Sequence, residues 1–210
     1  MNRLTAELQR VLGDPPRYPR AVVRLQVGGG QGLAAGREEA DRLVDAGGEL
    51  VVLDSDLDTL AVRACLAALL ALEPAEVVDR TAADWAHDVI TVRSLLRAAR
   101  QHLTDPEQLV TALDDPGLGR LVGLVDRLTE RRTPLLLGGG VATAAATLAT
   151  SHLRPASQQW LLAGSTPDLE LAGQALRAAG LTPLLDLGLG SSGADISVAV
   201  LRAGLDALGA

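Results

Sequence analysis

Apolar positions along this chain follow two rhythms. Short valine- and leucine-rich runs at Ala21–Val27, Glu49–Leu53, Thr133–Leu137, Gln159–Ala163 and Thr182–Leu187 are unbroken or alternating, and read as strands. Between them lie longer stretches with helical spacing: Leu33–Ala46, Leu60–Leu72, Trp85–Gln101, Pro106–Leu113, Leu118–Leu128 and Val141–Ser151. A further helix is expected from Thr166 as its N-cap, with Pro167 at the first helical position, Asp168 and Glu170 in the first turn and Gly180 at its end. The last follows Gly193, with Ile196, Val200, Leu201, Leu205 and Leu208 on its apolar side.

Three times a strand runs into glycines and then a helix: Gly28–Gly32, Gly138–Gly140, and Gly188 to Gly193. Strand, glycine turn, helix is half of a parallel βαβ unit, and ligands of such folds sit where the turns meet helix N-termini. The pattern predicts an α/β fold, a doubly wound parallel sheet in a Rossmann-like three-layer arrangement. A helix-rich insertion without strands runs from about 74 to 132. Residues 1–20 form an N-terminal arm, with Leu4, Leu8, Val11 and Leu12 at helical spacing before Gly13-Asp14-Pro15-Pro16. Residues 21–210 form one domain.

Composition narrows the function. The 210 residues are 48% apolar, enough for one domain with a real core, and a formal charge of −7 with almost no aromatics speaks against nucleic acid as a partner. All 19 basic residues are arginine, which excludes a Schiff-base lysine and a Gly-Lys-Ser/Thr phosphate loop. Cys65 is alone, and His87, His102 and His152 lie 15 and 50 residues apart, so neither a disulfide, a metal centre nor a bound cofactor is expected. With no leader pattern and no long apolar span, the chain reads as cytoplasmic, with no membrane partner.

Two stretches carry candidate chemistry. Gly30-x-Gly32-x-x-Ala35 with Asp54 further on imitates a dinucleotide fingerprint; the alternative is an ordinary glycine turn. Asp54, Asp56 and Asp58 alternate along an extended segment, which suits a cation or a ribose hydroxyl; the alternative is a loop in which Asp58 caps the helix starting near Leu60.

Leu66–Arg80, Thr133–Ala146 and Ala179–Gly188, in that order and spacing, resemble the nicotinate-nucleotide:dimethylbenzimidazole phosphoribosyltransferases of cobamide (vitamin B12) assembly, over a span from about Leu33 to the C-terminus. The resemblance implies a parallel sheet with a small helical domain, a homodimer, and transfer of phosphoribose from nicotinate mononucleotide to a benzimidazole-type base. It also implies a longer N-terminal portion that builds part of the base pocket, where this chain has only the arm.

At the motifs the chain departs from that pattern. The family's phosphate loop, Gly-Glu-Met-Gly-Ile-Gly-Asn-Thr-Thr, aligns with Val52–Leu60, which has no glycine and three aspartates, Asp58 and Thr59 standing at the Asn and first Thr. Its Ala-Arg-Lys-Arg lysine falls near Val92, leaving Arg93. Its Asp-Gly-Phe-Ile-Ser becomes Gly138-Gly139-Gly140-Val141-Ala142, and its His-Arg-Ser falls near Gly164-Ser165-Thr166. The C-terminal Gly-Glu-Gly-Thr-Gly, whose carboxylate the resemblance makes the general base, becomes Gly190-Ser191-Ser192-Gly193. Asp195 and Asp54 are the acids that could replace it.

The first expectation is therefore a non-catalytic binding or partner subunit with this fold. An active nicotinate-nucleotide:azole-base phosphoribosyltransferase is the alternative, and an NAD-dependent oxidoreductase the third. A nucleotide or azole would meet Gly138, Gly139, Gly140, Gly164, Ser165, Ser191, Ser192, Gly193, Asp58 and Thr59, where free helix N-termini attract anions. Self-association or a partner protein is expected to cover apolar surface.

Overall fold

The computed structural model describes residues 3–14, 16, 19–188 and 193–207. Its elements are α1 (Arg3–Leu12), β1 (Val22–Gln26), α2 (Gly32–Asp45), β2 (Leu50–Asp54), α3 (Leu60–Leu70), α4 (Pro74–Val77), α5 (Trp85–Ala99), α6 (Pro106–Leu113), α7 (Pro116–Glu130), β3 (Leu135–Leu137), α8 (Val141–Leu153), β4 (Leu161–Ala163), α9 (Glu170–Ala178) and α10 (Gly193–Ala207). No helix among the described residues is long and apolar enough to cross a membrane.

The strands form one parallel sheet in the order β1-β2-β3-β4. Strands added in sequence order, each by a right-handed crossover, place every connecting helix on the same face. Side chains sort accordingly. Val51, Leu53, Leu135 and Leu137 point into a large core with α2, α3, α5, α7 and α8. Leu50, Val52, Leu136 and Leu162 point the other way, onto α1 and α10. The three layers expected from the sequence are present, and the second face is covered by the arm and the last helix. The 74–132 stretch holds helices α4 to α7, with a 3₁₀ turn at Arg100–His102.

Local chemistry explains most helix starts. Asp105 and Asp115 accept from the backbone N–H of Gln108 and Leu118, each just before a proline at the first helical position. α3 begins at Thr59, whose hydroxyl oxygen accepts from Val62 N–H; Asp58, the cap expected from the sequence, instead holds Arg63 by two hydrogen bonds. α9 starts at Glu170 rather than at Thr166, because the Thr166 hydroxyl is drawn to the Leu185 carbonyl and to Asp186 Oδ1 across the chain. The Thr182–Leu187 strand reduces to a single parallel bridge, Ser165 with Leu185, beside β4.

α2 and α7 lie unusually close. A Cβ at Gly36 would overlap the Arg120 carbonyl oxygen, and one at Gly123 the Leu33 carbonyl oxygen. Several of the charged residues of α2 are spent on this contact. Glu39 takes both hydrogen bonds of Arg120, Asp41 accepts from Arg127 and Arg131, and Arg37 reaches the nearly buried Asp126, which also receives Arg154. Hydrogen bonds from Arg127 and then Arg131 hold the Asp41 carboxyl below its usual range.

Candidate functional site

The carboxyl ends of the strands carry the site. Register places Gln26, Asp54, Gly138 and Gly164 in one row across the sheet, since Gln26 pairs with Asp54, Leu53 with Leu137 and Leu137 with Ala163. Alternation turns this row to the face covered by α10, which begins at Gly193 and carries Asp195 in its first turn and Ser197 in the next. The glycines make room: a Cβ at Gly138 would collide with the Asp54 carboxylate, and one at Gly164 with the Ser197 hydroxyl. Ser197 donates to the Gly193 carbonyl and Ser165, buried, to the Thr166 carbonyl, so both hydroxyls are tied to their own loops.

Asp54 is 9% exposed. Burial pushes its carboxyl up to about 6; the carboxylates of Asp56 and Asp195 add to this, and the Ser55 N–H, donating to Oδ1 at 2.8 Å, opposes it. Asp195 is exposed and pairs with Arg24 of β1 at 3.2 Å, and Gln26 donates to Asp56 at 3.0 Å. The row therefore brings Asp54 and Asp195 together. The dinucleotide fingerprint fares differently. Asp54 faces Gly138 and α10 rather than α2, the helix after the Gly28–Gly32 turn, so turn and acid do not converge as a dinucleotide clamp.

Next to the row, a depression of about 180 Å³ is lined by Ser55, Asp56, Leu57, Asp58, Gly140, Val141, Asp168 and Leu169. Gly140 is the N-cap of α8, and a Cβ there would strike the Ser55 carbonyl. Ser55 fixes this loop: its hydroxyl donates to the Val27 carbonyl at 2.7 Å and accepts from Leu57 N–H. Thr59 donates to Asp115 Oδ2 at 2.5 Å, which ties the loop to the start of α7. Of the nearby cations, Arg63 is consumed, with Nε and Nη2 on Asp58 and Nη1 on the Val77 carbonyl.

Among the other sequence candidates, Gly138 and Gly139 are buried and Gly140 half-buried at the mouth of α8. Gly193 opens α10, while Ser191 and Ser192, together with the Gly190 position of the base motif, lie outside the described residues. Cys65 is fully buried, which pushes its thiol up to about 12 and leaves it no role as a nucleophile. Sequence reasoning missed Ser55 and Asp115 as the anchors of the acidic loop. Ser55 sits between two aspartates and gives no signal of its own until the β1–β2 register is known.

A polar row and a helix-capped depression at the carboxyl ends of a parallel sheet lie where ligands of open α/β folds bind. Comparison defines the chain further: it belongs to the phosphoribosyltransferase family whose sequence pattern matches residues 28–209. It is similar to the nicotinate-nucleotide–dimethylbenzimidazole phosphoribosyltransferase of Mycobacterium bovis (strain BCG / Pasteur 1173P2), 36% identical over 185 residues that make up 84% of this chain and 51% of that protein. The corresponding protein of Mycobacterium leprae (strain Br4923) is 37% identical over 186 residues, 84% of this chain and 52% of its own length. The crystal structure of the Thermus thermophilus phosphoribosyltransferase of the same name superposes with a TM-score of 0.71 at 28% identity, over 82% of this chain and 53% of that one. The chain thus spans about half the length of the curated relatives it matches.

Proposed function

We propose that this chain is a phosphoribosyltransferase-family subunit related to cobamide lower-ligand activation that serves as a binding or partner subunit and does not itself carry out the transfer. One observation carries the reading. Where the α8 N-terminus would receive a nucleotide phosphate, the lining loop has no glycine and offers the Asp56 carboxylate, Asp168 lines the same depression, and Arg63 is already paired with Asp58 and so is not free to hold the anion. A phosphate roughly 5 Å from a carboxylate would be repelled by about 3 kcal/mol per charge pair at an effective dielectric of about 20. On this reading the depression takes the azole or nucleoside end of a ligand and disfavours a phosphate. The subunit would work in the cytoplasm, as a homodimer or beside a second protein.

The assay is direct: nicotinate mononucleotide and 5,6-dimethylbenzimidazole are incubated with the protein, and nicotinate is followed by chromatography. We expect no release above the protein-free control. A second reading rests on Asp54, whose carboxyl near 6 suits a general base acting at neutral pH. Steady nicotinate release that disappears in Asp54→Asn would overturn the first reading in favour of the second.

A further inference from the structure

Two carboxylates are buried among the described residues, and they are treated in opposite ways. Asp126 takes hydrogen bonds from Arg37 and Arg154. Asp54 accepts the Ser55 N–H, and the charged groups facing it are acids: Asp56 from the loop after β2 and Asp195 from α10. β3 sets only the bare backbone of Gly138 against it. β1 supplies Arg24 and Gln26 on this face, but Asp195 holds the one and Asp56 the other.

The helix that closes over this carboxyl does so with its weakest end. Val198, Leu201 and Leu205 of α10 pack into the core of Leu50, Val52, Leu136 and Leu162, whereas the first turn adds Ala194 alone. Ile196 of that turn is exposed, and the Arg24–Asp195 pair tying the turn to β1 is largely exposed too, a kind of contact that water screens.

We propose that the first turn of α10 is a proton-linked cover over the strand-end row, docked while Asp54 carries its proton and released when Asp54 ionises. Docked, the turn keeps water from Asp54 and holds Asp195 beside it, and burial pushes the carboxyl up to about 6. Released, the carboxyl is hydrated and parted from Asp195, so it returns toward the ordinary 3.8. The docked state binds the proton more tightly. Its advantage is complete below about pH 4 and is lost as pH rises through about 6, so release becomes roughly tenfold more frequent between about pH 5 and pH 7.5. A helical turn freed from its packing does not keep its hydrogen bonds in water, so release is unwinding rather than a rigid swing. At neutral pH the row then meets solvent with an ionised carboxylate in it.

Hydrogen exchange of the full chain reads this directly. The amides of Ser197 to Val200 bond back to carbonyls of the first turn, so their protection reports its release. After correction for intrinsic rates, that protection should lie below the protection of α8 at pH 7.5 and fall roughly tenfold from pH 5 to pH 7.5, in urea too dilute to unfold the chain. Asp54→Asn, which stays neutral, should flatten the profile; if it does not fold, the wild-type profile decides alone. Protection in α10 that is constant with pH would overturn the proposal. So would protection that matches α8 at every pH, because the turn would then open only with the whole chain, or a folded Asp54→Asn that keeps the wild-type slope. Exchange is read without ligand or substrate, so the result stands separately from the absence of turnover.

Discussion

Replacing Gly36 or Gly123 by alanine will destabilise the fold by about 3 kcal/mol or more, lowering the thermal midpoint by roughly 6–12 °C for a chain of this size. Each added methyl would land on a backbone carbonyl of the facing helix, Arg120 for Gly36 and Leu33 for Gly123. Backbone cannot swing aside as a side chain does, so α2 and α7 must separate. Separation stretches the Glu39–Arg120 and Arg37–Asp126 contacts that close packing holds. Alanine's better helix propensity returns about 1 kcal/mol, too little to offset the clash. Gly204 in α10 is the control. A Cβ there meets only the ends of the Leu4 and Leu8 side chains, which can shift, so Gly204→Ala should be neutral or stabilising. Differential scanning calorimetry of the three variants checks the contrast; equal midpoints would refute the close contact.

Asp54→Asn will remove a pH dependence from the stability. The carboxyl sits near 6 in the fold against an ordinary 3.8, so the folded state binds the proton more tightly than the unfolded one. Its contribution is complete below about pH 4 and is lost as pH rises through about 6, up to about 3 kcal/mol in all. The wild type should therefore weaken between about pH 4 and pH 7 relative to Asp54→Asn, which stays neutral throughout. At neutral pH the variant should be the more stable by about 1–2 kcal/mol, since it no longer buries a charge beside Asp56 and Asp195. Urea unfolding at several pH values measures this. Parallel stability curves for the two proteins would contradict the environment assigned to Asp54.

Much of the fold was legible because its signals are local. Strands buried on both faces read as leucine and valine runs, and the glycine turns and Asp-Pro caps at Asp105 and Asp115 mark boundaries wherever they occur. What escaped depends on distant partners. Thr166-Pro167-Asp168 carries every mark of a helix start, yet Thr166 spends its hydroxyl on Leu185 and Asp186, about twenty residues on, so α9 begins later. The acids and arginines of α2 look solvated until α7, more than eighty residues away, supplies Arg120, Arg127 and Asp126.

The site was half legible for the same reason. Glycine turns at strand ends located it, and Asp54 and Asp195 were singled out as acids. That Asp54 fills the space left open at Gly138 follows only from the β2–β3 register, which no local pattern encodes. Asp58 was open to either a ligand or a helix cap; its bidentate hold on Arg63 is a third outcome, visible only once α3 has formed its first turn.

The most direct measurement of the central claim, that this scaffold no longer favours a phosphate at its strand ends, is a calorimetric comparison of nicotinate mononucleotide with nicotinate riboside, which lacks the 5′-phosphate. The carboxylates of Asp56 and Asp168 beside the depression predict that the riboside binds at least as tightly as the mononucleotide. Tenfold or greater preference for the mononucleotide, about 1.4 kcal/mol contributed by its phosphate, would contradict the account.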